Sequence, residues 1–446
     1  MEVSIYIYNL GCPKNEVDGQ YYAGVLAEDE DMEIVDDYRD AEILIINTCG
    51  FIDAAKEESL EAIWEAVELK NEGKCERVIV SGCLSQRYHQ HLEEEIPELD
   101  GIFGVGEYEG LISLVRSVKE GKKTKSVTSP RQNINKRLPR RAEEKSFAYL
   151  KIADGCNKRC SYCAIPFIKG DYSSRSQELI KEEAEKLLEN NVSELILIAQ
   201  DTTQYGIDIY GEARLEELSK SLLELSGLER LRIMYTYLDQ IDEELLHIMA
   251  CEEKLCSYLD LPIQHVAGPV RKKMNRPGDI NSIREKLKKI REIVPDIALR
   301  TSMLVGFPGE TEEDFQKLKE FVREIEFERM GVFMYSREEG TEAAELSGQL
   351  PEEVKQRRYN ELVELQEKIS RSQNRELVGE IMDVIIDEVD GGSFSGRTEY
   401  DAPEIDNIVR GELPDGSELR SGQIVTCRIE SAFEYELVGE IINEPS

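Results

Sequence analysis

Long apolar runs are missing from this chain. Nowhere in its 446 residues do apolar side chains accumulate toward the roughly 20 that a membrane-crossing helix needs. The opening Met1-Glu2-Val3-Ser4-Ile5-Tyr6 lacks the positive charge that begins a secretory signal. Low-complexity tracts are also lacking, and the composition, 40% hydrophobic and 33% charged, is that of a globular protein. These absences predict a soluble, cytoplasmic protein with no membrane contact. In that compartment ten cysteines read as metal ligands or buried thiols, not disulfides. Positive charge is short as well: 55 Lys and Arg face 91 Asp and Glu, a formal net charge of −36. Such a field repels phosphate backbones, so nucleic acid is disfavoured as a substrate, and a basic protein or a small molecule is favoured as a partner. The plainer reading is that an acidic surface keeps the protein soluble, and charge alone does not separate the two. Histidine is scarce too, with only His89, His91, His247 and His265.

Against that background three cysteines stand within eight residues: Cys156, Cys160 and Cys163, spaced C-x3-C-x2-C. Zinc usually takes four ligands in paired spacings, and no histidine lies near this loop, so iron–sulfur chemistry is favoured over a zinc site. Three thiolates can hold three irons of a 4Fe-4S cluster and leave the fourth open to a small molecule. Tyr162 would set an aromatic ring beside such a cluster, or is an ordinary packed loop residue. Cys12, Cys49 and Cys83 form a second set. Each follows a predicted strand and has a glycine neighbour, Gly11, Gly50 or Gly82. Strand ends on one edge of a parallel sheet converge, so three sulfurs far apart in sequence can meet there; the competing reading is of buried small hydrophobes. Cys75, Cys251, Cys256 and Cys427 have no such setting and are read as non-ligands.

The length implies two to three domains. Residues 1–120 alternate predicted strands (Glu2 to Tyr8, Ala41 to Asn47, Arg77 to Ser81) with helices (Asn15 to Ala27, Asp53 to Lys70), which makes a small α/β domain with a parallel sheet. Residues 121–145 carry Lys122, Lys123, Lys125, Arg131, Lys136, Arg137, Arg140, Arg141 and Lys145 against only Glu143 and Glu144. They read as a basic linker lying on acidic neighbouring domains, with RNA contact as the rival reading. Residues 146–372 show six strand–helix units, with strands at Phe147–Ala153, Glu194–Ala199, Leu231–Tyr235, Tyr258–Leu261, Ile297–Val305 and Arg329–Tyr335. They predict a partial parallel (β/α)6 barrel whose chemistry sits in the loops at the strand C-termini. A polar helix over Pro351 to Glu376 leads out of it. Residues 373–446 predict a small OB-like β-barrel; from Glu376 onward there are 18 Asp or Glu, four Arg and no Lys.

These residues resemble the radical S-adenosylmethionine (SAM) superfamily, and the whole chain resembles its methylthiotransferases. Gly11-Cys12, Asn47-Thr48-Cys49 and Ser81-Gly82-Cys83 resemble the family's first cluster pattern, and Cys156, Cys160 and Cys163 its second. Leu261-Pro262-Ile263-Gln264 and Val305-Gly306-Phe307-Pro308-Gly309-Glu310-Thr311 resemble its later barrel signatures. Leu10-Gly11-Cys12-Pro13-Lys14-Asn15, Lys151-Ile152-Ala153-Asp154-Gly155-Cys156 and Asp401-Ala402-Pro403-Glu404-Ile405-Asp406 are similar to the RimO-type branch. That branch methylthiolates an aspartate of the small-subunit ribosomal protein S-twelve.

The resemblance implies a methylthiotransferase domain over residues 1–120 with one 4Fe-4S cluster, a radical-SAM core over 146–372 with the other, and a C-terminal TRAM domain over 373–446 that recognises the substrate. It implies SAM as both radical source and methyl donor, no side chain acting as acid or base, an external electron donor and a sulfur donor. It also implies cofactor contacts from Tyr162, Gln200, Asp201 and Arg300, although each of these is equally an ordinary structural residue. The target bond, a C–H at an aspartate β-carbon, is beyond any side-chain base, so cofactors must supply the reactivity. The rival readings are a tRNA adenosine methylthiotransferase with the same chemistry and a non-catalytic iron–sulfur protein.

Overall fold

The computed structural model describes residues 3–129, 134–414 and 416–443; Glu2 and Arg131, invoked above, lie outside them. The first sheet contains β1 (Val3–Asn9), β2 (Met32–Ile34), β3 (Ile43–Thr48), β4 (Arg77–Gly82), β5 (Gly101–Phe103) and β6 (Thr124–Ser126) in the order β2-β1-β3-β4-β5-β6. Every pairing in it is parallel. Ile43 to Ile46 are buried on both faces, as an inner parallel strand requires. The chain reverses its direction of travel across the sheet between β1 and β3, which opens a crevice at their carboxyl ends. Helices α1 (Pro13–Ala27), α2 (Asp53–Asn71) and α3 (Cys83–Glu95) each begin at those ends. Twelve of the fifteen residues of α1 are buried, polar ones included. It is wedged between its own sheet and the second domain, so it shows no single apolar stripe.

The stretch read as a linker starts by adding β6 to the first sheet. Its cations pair with acids of both flanking domains. Lys136 meets Glu109 at 2.6 Å and Arg137 meets Glu182 at 2.5 Å; Arg140 meets Glu183 at 2.7 Å and Lys125 meets Glu93.

The second domain strings β7 (Phe147–Lys151), β10 (Glu194–Ile198), β11 (Arg230–Ile233), β12 (Tyr258–Gln264), β13 (Ala298–Val305) and β14 (Arg329–Met334) side by side. Hydrogen bonding breaks between β11 and β12, where one bridge, Leu231 to Leu255, is left, so the partial barrel is two three-stranded halves. A two-stranded ribbon, β8 (Ala153–Asp154) with β9 (Ser173–Ser174), frames the C-x3-C-x2-C loop. Alternation sorts the barrel residues. Leu195, Leu197, Leu231, Ile233, Leu259 and Leu261 pack on the surrounding helices. Tyr149, Ile196, Ile198, Met234 and Tyr258 join Val17 and Tyr21 of α1 in a second core.

After the helix Glu352–Glu376, strands β15 (Ile381–Asp390), β16 (Ser393–Arg397), β17 (Ile408–Glu412), β18 (Ile424–Ala432) and β19 (Glu436–Asn443) close into a barrel in the order β15-β16-β17-β19-β18. Its loop between β16 and β17 reaches back into the second domain. Ala402 enters the core around α1, Asp401 meets Arg329 at 2.5 Å, and Asp406 accepts from Tyr258 Oη at 2.7 Å.

Candidate active site

Cys49 and Cys83 directly follow β3 and β4, and Cys12 comes three residues after β1, at the crevice edge of the first sheet. A lattice of asparagines fixes their spacing. Asn47 Nδ2 donates to Asn9 Oδ1 (3.0 Å) and to the Asn15 carbonyl (2.8 Å), and Asn15 Nδ2 donates to the Leu10 carbonyl (2.6 Å). Ser59 Oγ clips the Cys49 backbone, accepting from its N–H at 3.0 Å and donating to its carbonyl at 2.9 Å. At Gly11 (φ +91°) a Cβ would stand 3.1 Å from Cys49 Sγ, so only glycine lets the Cys12 turn lie against Cys49. Burial pushes the Cys49 thiol up, and neighbouring Cys12 adds to it. Burial pushes Cys83 further, with Cys49 and Cys12 contributing and Lys169 opposing.

In the second loop Cys156 N–H donates to the Gly170 carbonyl (3.1 Å) and Cys163 N–H to the Cys160 carbonyl (3.1 Å), which pins both ends of the cysteine loop. Burial raises Cys156 to about 11 and Cys163 to about 12. Arg276 Nη1 lies 3.8 Å from Cys160 Sγ and donates to Tyr162 Oη at 3.3 Å. This cation 116 residues downstream was not legible in the sequence, where it is one basic residue among several. The Tyr162 ring meets Phe307 edge-on, centroids 6.4 Å apart.

Among the described residues no three His, Cys, Asp or Glu side chains are poised to share one metal ion. Sulfurs that each take a different iron of a cube stand wider apart than ligands of a single ion. The all-thiol donor sets, three to a group and without histidine, fit a 4Fe-4S cluster better than zinc.

The first group lies close to the segment that follows the second. Cys83 shares a small buried cluster with Val105, Ala164 and Ile168, the last two lying one and five residues beyond Cys163. Four buried charges lock this junction. Asp18 of α1 takes Lys169 at 2.7 Å and also Lys151, while Asp154 takes Lys169 at 3.3 Å and Lys151 at 3.4 Å. Burial works to raise the Asp154 carboxyl, but the Lys169 and Lys151 ammoniums prevail and hold it well below the usual range.

Beside them Gln200 Nε2 donates to Asp154 Oδ1 at 2.7 Å, and its buried Oε1 has no donor among the described residues. Asp201 accepts from Thr203 N–H (3.1 Å) and Gln204 Nε2 (2.7 Å), with Lys158 at 3.7 Å. Arg300 is gripped from two sides, by Asp260 at 3.1 Å and by Asp406 at 3.3 Å.

A cavity of about 460 Å³ opens where the three domains meet. Cys12 and Cys49 form one wall, Tyr149, Met234 and Tyr235 of the barrel another, and Glu404 and Ile405 of the terminal domain the third.

Residues 4–104 match the Uncharacterized protein family UPF0004, residues 150–322 the Radical SAM superfamily and residues 378–442 the TRAM domain. The Ribosomal protein uS12 methylthiotransferase RimO of Desulforamulus reducens is 44% identical over 443 residues, which is 98% of this chain and 99% of that one. The RimO of Clostridioides difficile is 42% identical over 444 residues, 99% of each. In fold, the chain is similar to the radical S-adenosylmethionine methyltransferase TsrM of Kitasatospora setae, with TM-score 0.56, 16% identity and 75% of each chain covered. It is also similar to the cobalamin-dependent S-adenosylmethionine radical enzyme OxsB, with TM-score 0.52, 12% identity, and 82% of this chain and 56% of that one covered. At such low identity these two likenesses bear on the fold alone. The full-length identity to the curated relatives decides the family: the chain belongs to the RimO methylthiotransferases of the radical-SAM superfamily.

Proposed function

We propose that this protein replaces a hydrogen on the β-carbon of an aspartate in the small-subunit ribosomal protein uS12 by a methylthio group, giving 3-methylthioaspartate. Cys156, Cys160 and Cys163 would hold one 4Fe-4S cluster, and Cys12, Cys49 and Cys83 the other. Bound together with SAM, these groups supply the radical, sulfur and methyl chemistry that side chains lack. An external electron donor and a sulfur source complete the requirements.

The observation that supports this reading is the buried cluster of Cys83 with Ala164 and Ile168, in which one thiol of the first group lies near the segment that follows the second. The chain's own part is placement and exclusion of water. Asp18, Asp154, Lys151 and Lys169 clamp α1 to the cysteine loop. The orphaned Gln200 Oε1 offers an acceptor to a SAM ammonium or hydroxyl. Tyr162 and Asp201 are further candidates for holding SAM, on the same side of the barrel. Glu404 and Ile405 place the TRAM domain at the mouth of the cavity, where a basic ribosomal loop would enter.

The test is mass spectrometry of ribosomal proteins and tRNA from cells with and without this protein. We expect uS12 to lose the mass of one SCH2 unit while tRNA is unchanged. A loss confined to tRNA would replace this reading with the tRNA one.

A further inference from the structure

The first turn of α1 carries a buried lysine with no carboxylate partner. Lys14 is 8% exposed, and its Nζ lies 3.0 Å from the centroid of the Tyr235 ring. Among the described residues no carboxylate oxygen comes within 4.0 Å of that nitrogen. Burial disfavours its charge, Cys12 is first among the groups that favour it, and the two acids that act on it through space, Asp260 and Asp154, are both engaged elsewhere. Asp260 is held by Arg300 and by the Tyr235 N–H at 3.1 Å; Asp154 is held by Lys151, Lys169 and Gln200. Tyr235 has φ +58°, a left-handed backbone that a tyrosine keeps only when its surroundings impose it. The effect is to lay the ring over Lys14 while it also lines the cavity of Cys12 and Cys49. A buried ammonium without a carboxylate partner is costly unless an anion comes to it, and a flat ring beneath a cation leaves its other side open to one.

We infer that Lys14 receives the carboxylate of the target aspartate and, with Tyr235 as the floor, presents the neighbouring β-carbon beside Cys12 and Cys49. This assignment rests on the methylthiotransferase reading. The methionine carboxylate of SAM has the same chemistry, but Lys14 directly follows Cys12 and Pro13 of the cavity wall and stacks on Tyr235, which lines the same cavity as Glu404 and Ile405 of the terminal domain. That position favours the substrate.

The test uses reconstituted full-length enzyme, wild type, Lys14→Gln and Lys14→Arg, with a peptide spanning the uS12 aspartate and the same peptide carrying asparagine there. Each peptide is measured as substrate and as competitor. Wild type should prefer the Asp peptide. Lys14→Gln should shrink that preference by about tenfold or more, mainly through the peptide KM, and Lys14→Arg should recover part of it. An unchanged Asp-to-Asn ratio in Lys14→Gln overturns the assignment, whatever happens to kcat. So does a rise in the SAM KM with the peptide KM unmoved, which would give the carboxylate to the cofactor. Wild-type enzyme that leaves the Asp peptide unmodified would instead sink the methylthiotransferase reading itself.

Discussion

Single residues at the strand ends decide whether six thiols can act as ligands. Gly82 has φ +92°, and a Cβ there would stand 2.5 Å from the Thr48 carbonyl and 2.8 Å from the Thr48 nitrogen. Both are backbone atoms of the adjacent strand and cannot swing aside. Because Gly82 immediately precedes Cys83, the first residue of α3, the strain falls on that ligand and not on the C-x3-C-x2-C loop in the other domain. Gly82→Ala is therefore expected to lower iron uptake on anaerobic reconstitution from about eight atoms per chain to about four. The surviving cluster should still cleave SAM without giving methylthiolated product. Iron analysis with product detection checks this, and a full complement of iron would show that the turn tolerates the methyl group. The glycines and cysteines were readable in the sequence because each pair sits at a strand end. Lys14 and Arg276 were not: each gains its meaning from Tyr235 or Cys160, more than a hundred residues away.

At the scale of elements, the sequence reading succeeds where a strand is long and apolar. Ile43–Thr48 and all six barrel strands fall where the β-branched runs predict them. Met32–Ile34, Gly101–Phe103 and Thr124–Ser126 escape it because three residues are too few to show a period. The last of these is further disguised by its lysine-rich surroundings. Ser393–Arg397 escapes because three of its five residues are serine or glycine. The helix Gln177–Leu188 shows why docking between elements is harder still to read. Its Glu183 accepts from Arg175 at 2.7 Å, from Arg140 of the linker at 2.7 Å and from Tyr21 of α1 at 2.9 Å, so one carboxylate ties three segments together. Burial works to raise its carboxyl, but Arg175 and Arg140 outweigh it and hold the value at about 2, below its ordinary 4.5. A group lowered in the folded state stabilises it above the unfolded value, and that contribution is lost as pH falls through the folded one. Glu183 should thus contribute fully above about pH 4.5 and progressively less down to about pH 2. Glu183→Gln is expected to lower the Tm at neutral pH, where it strips charge from two buried guanidiniums, and to flatten the acid limb between those values. Thermal melts against pH measure both effects; parallel curves for the two proteins would contradict the assignment.

Across the whole molecule, the terminal barrel closes the site as well as extending the chain. Asp401 and Asp406 insert among Arg329, Arg300 and Tyr258 on the inner face of the barrel, while the residues between them, Glu404 and Ile405, wall the cavity. Docking and access are thereby properties of one loop, which sets the carboxylate of Glu404 in the cavity wall. The cations that could have offered RNA a foothold are largely spent. Lys125, Lys136, Arg137 and Arg140 are all paired with carboxylates of the flanking domains. A net charge of −36 then has one consequence for partners: attraction to a basic ribosomal protein and repulsion from a polyanion, each weakening as salt shortens the reach of the field. Binding of a basic uS12 peptide should therefore weaken steeply as ionic strength rises, chiefly through a slower on-rate, and excess tRNA should not displace the peptide at any salt concentration. Titrations over a salt series with tRNA as competitor measure this. Displacement by tRNA at low salt would mean that a positive surface forms in the complex, and the substrate would then have to be sought among nucleic acids.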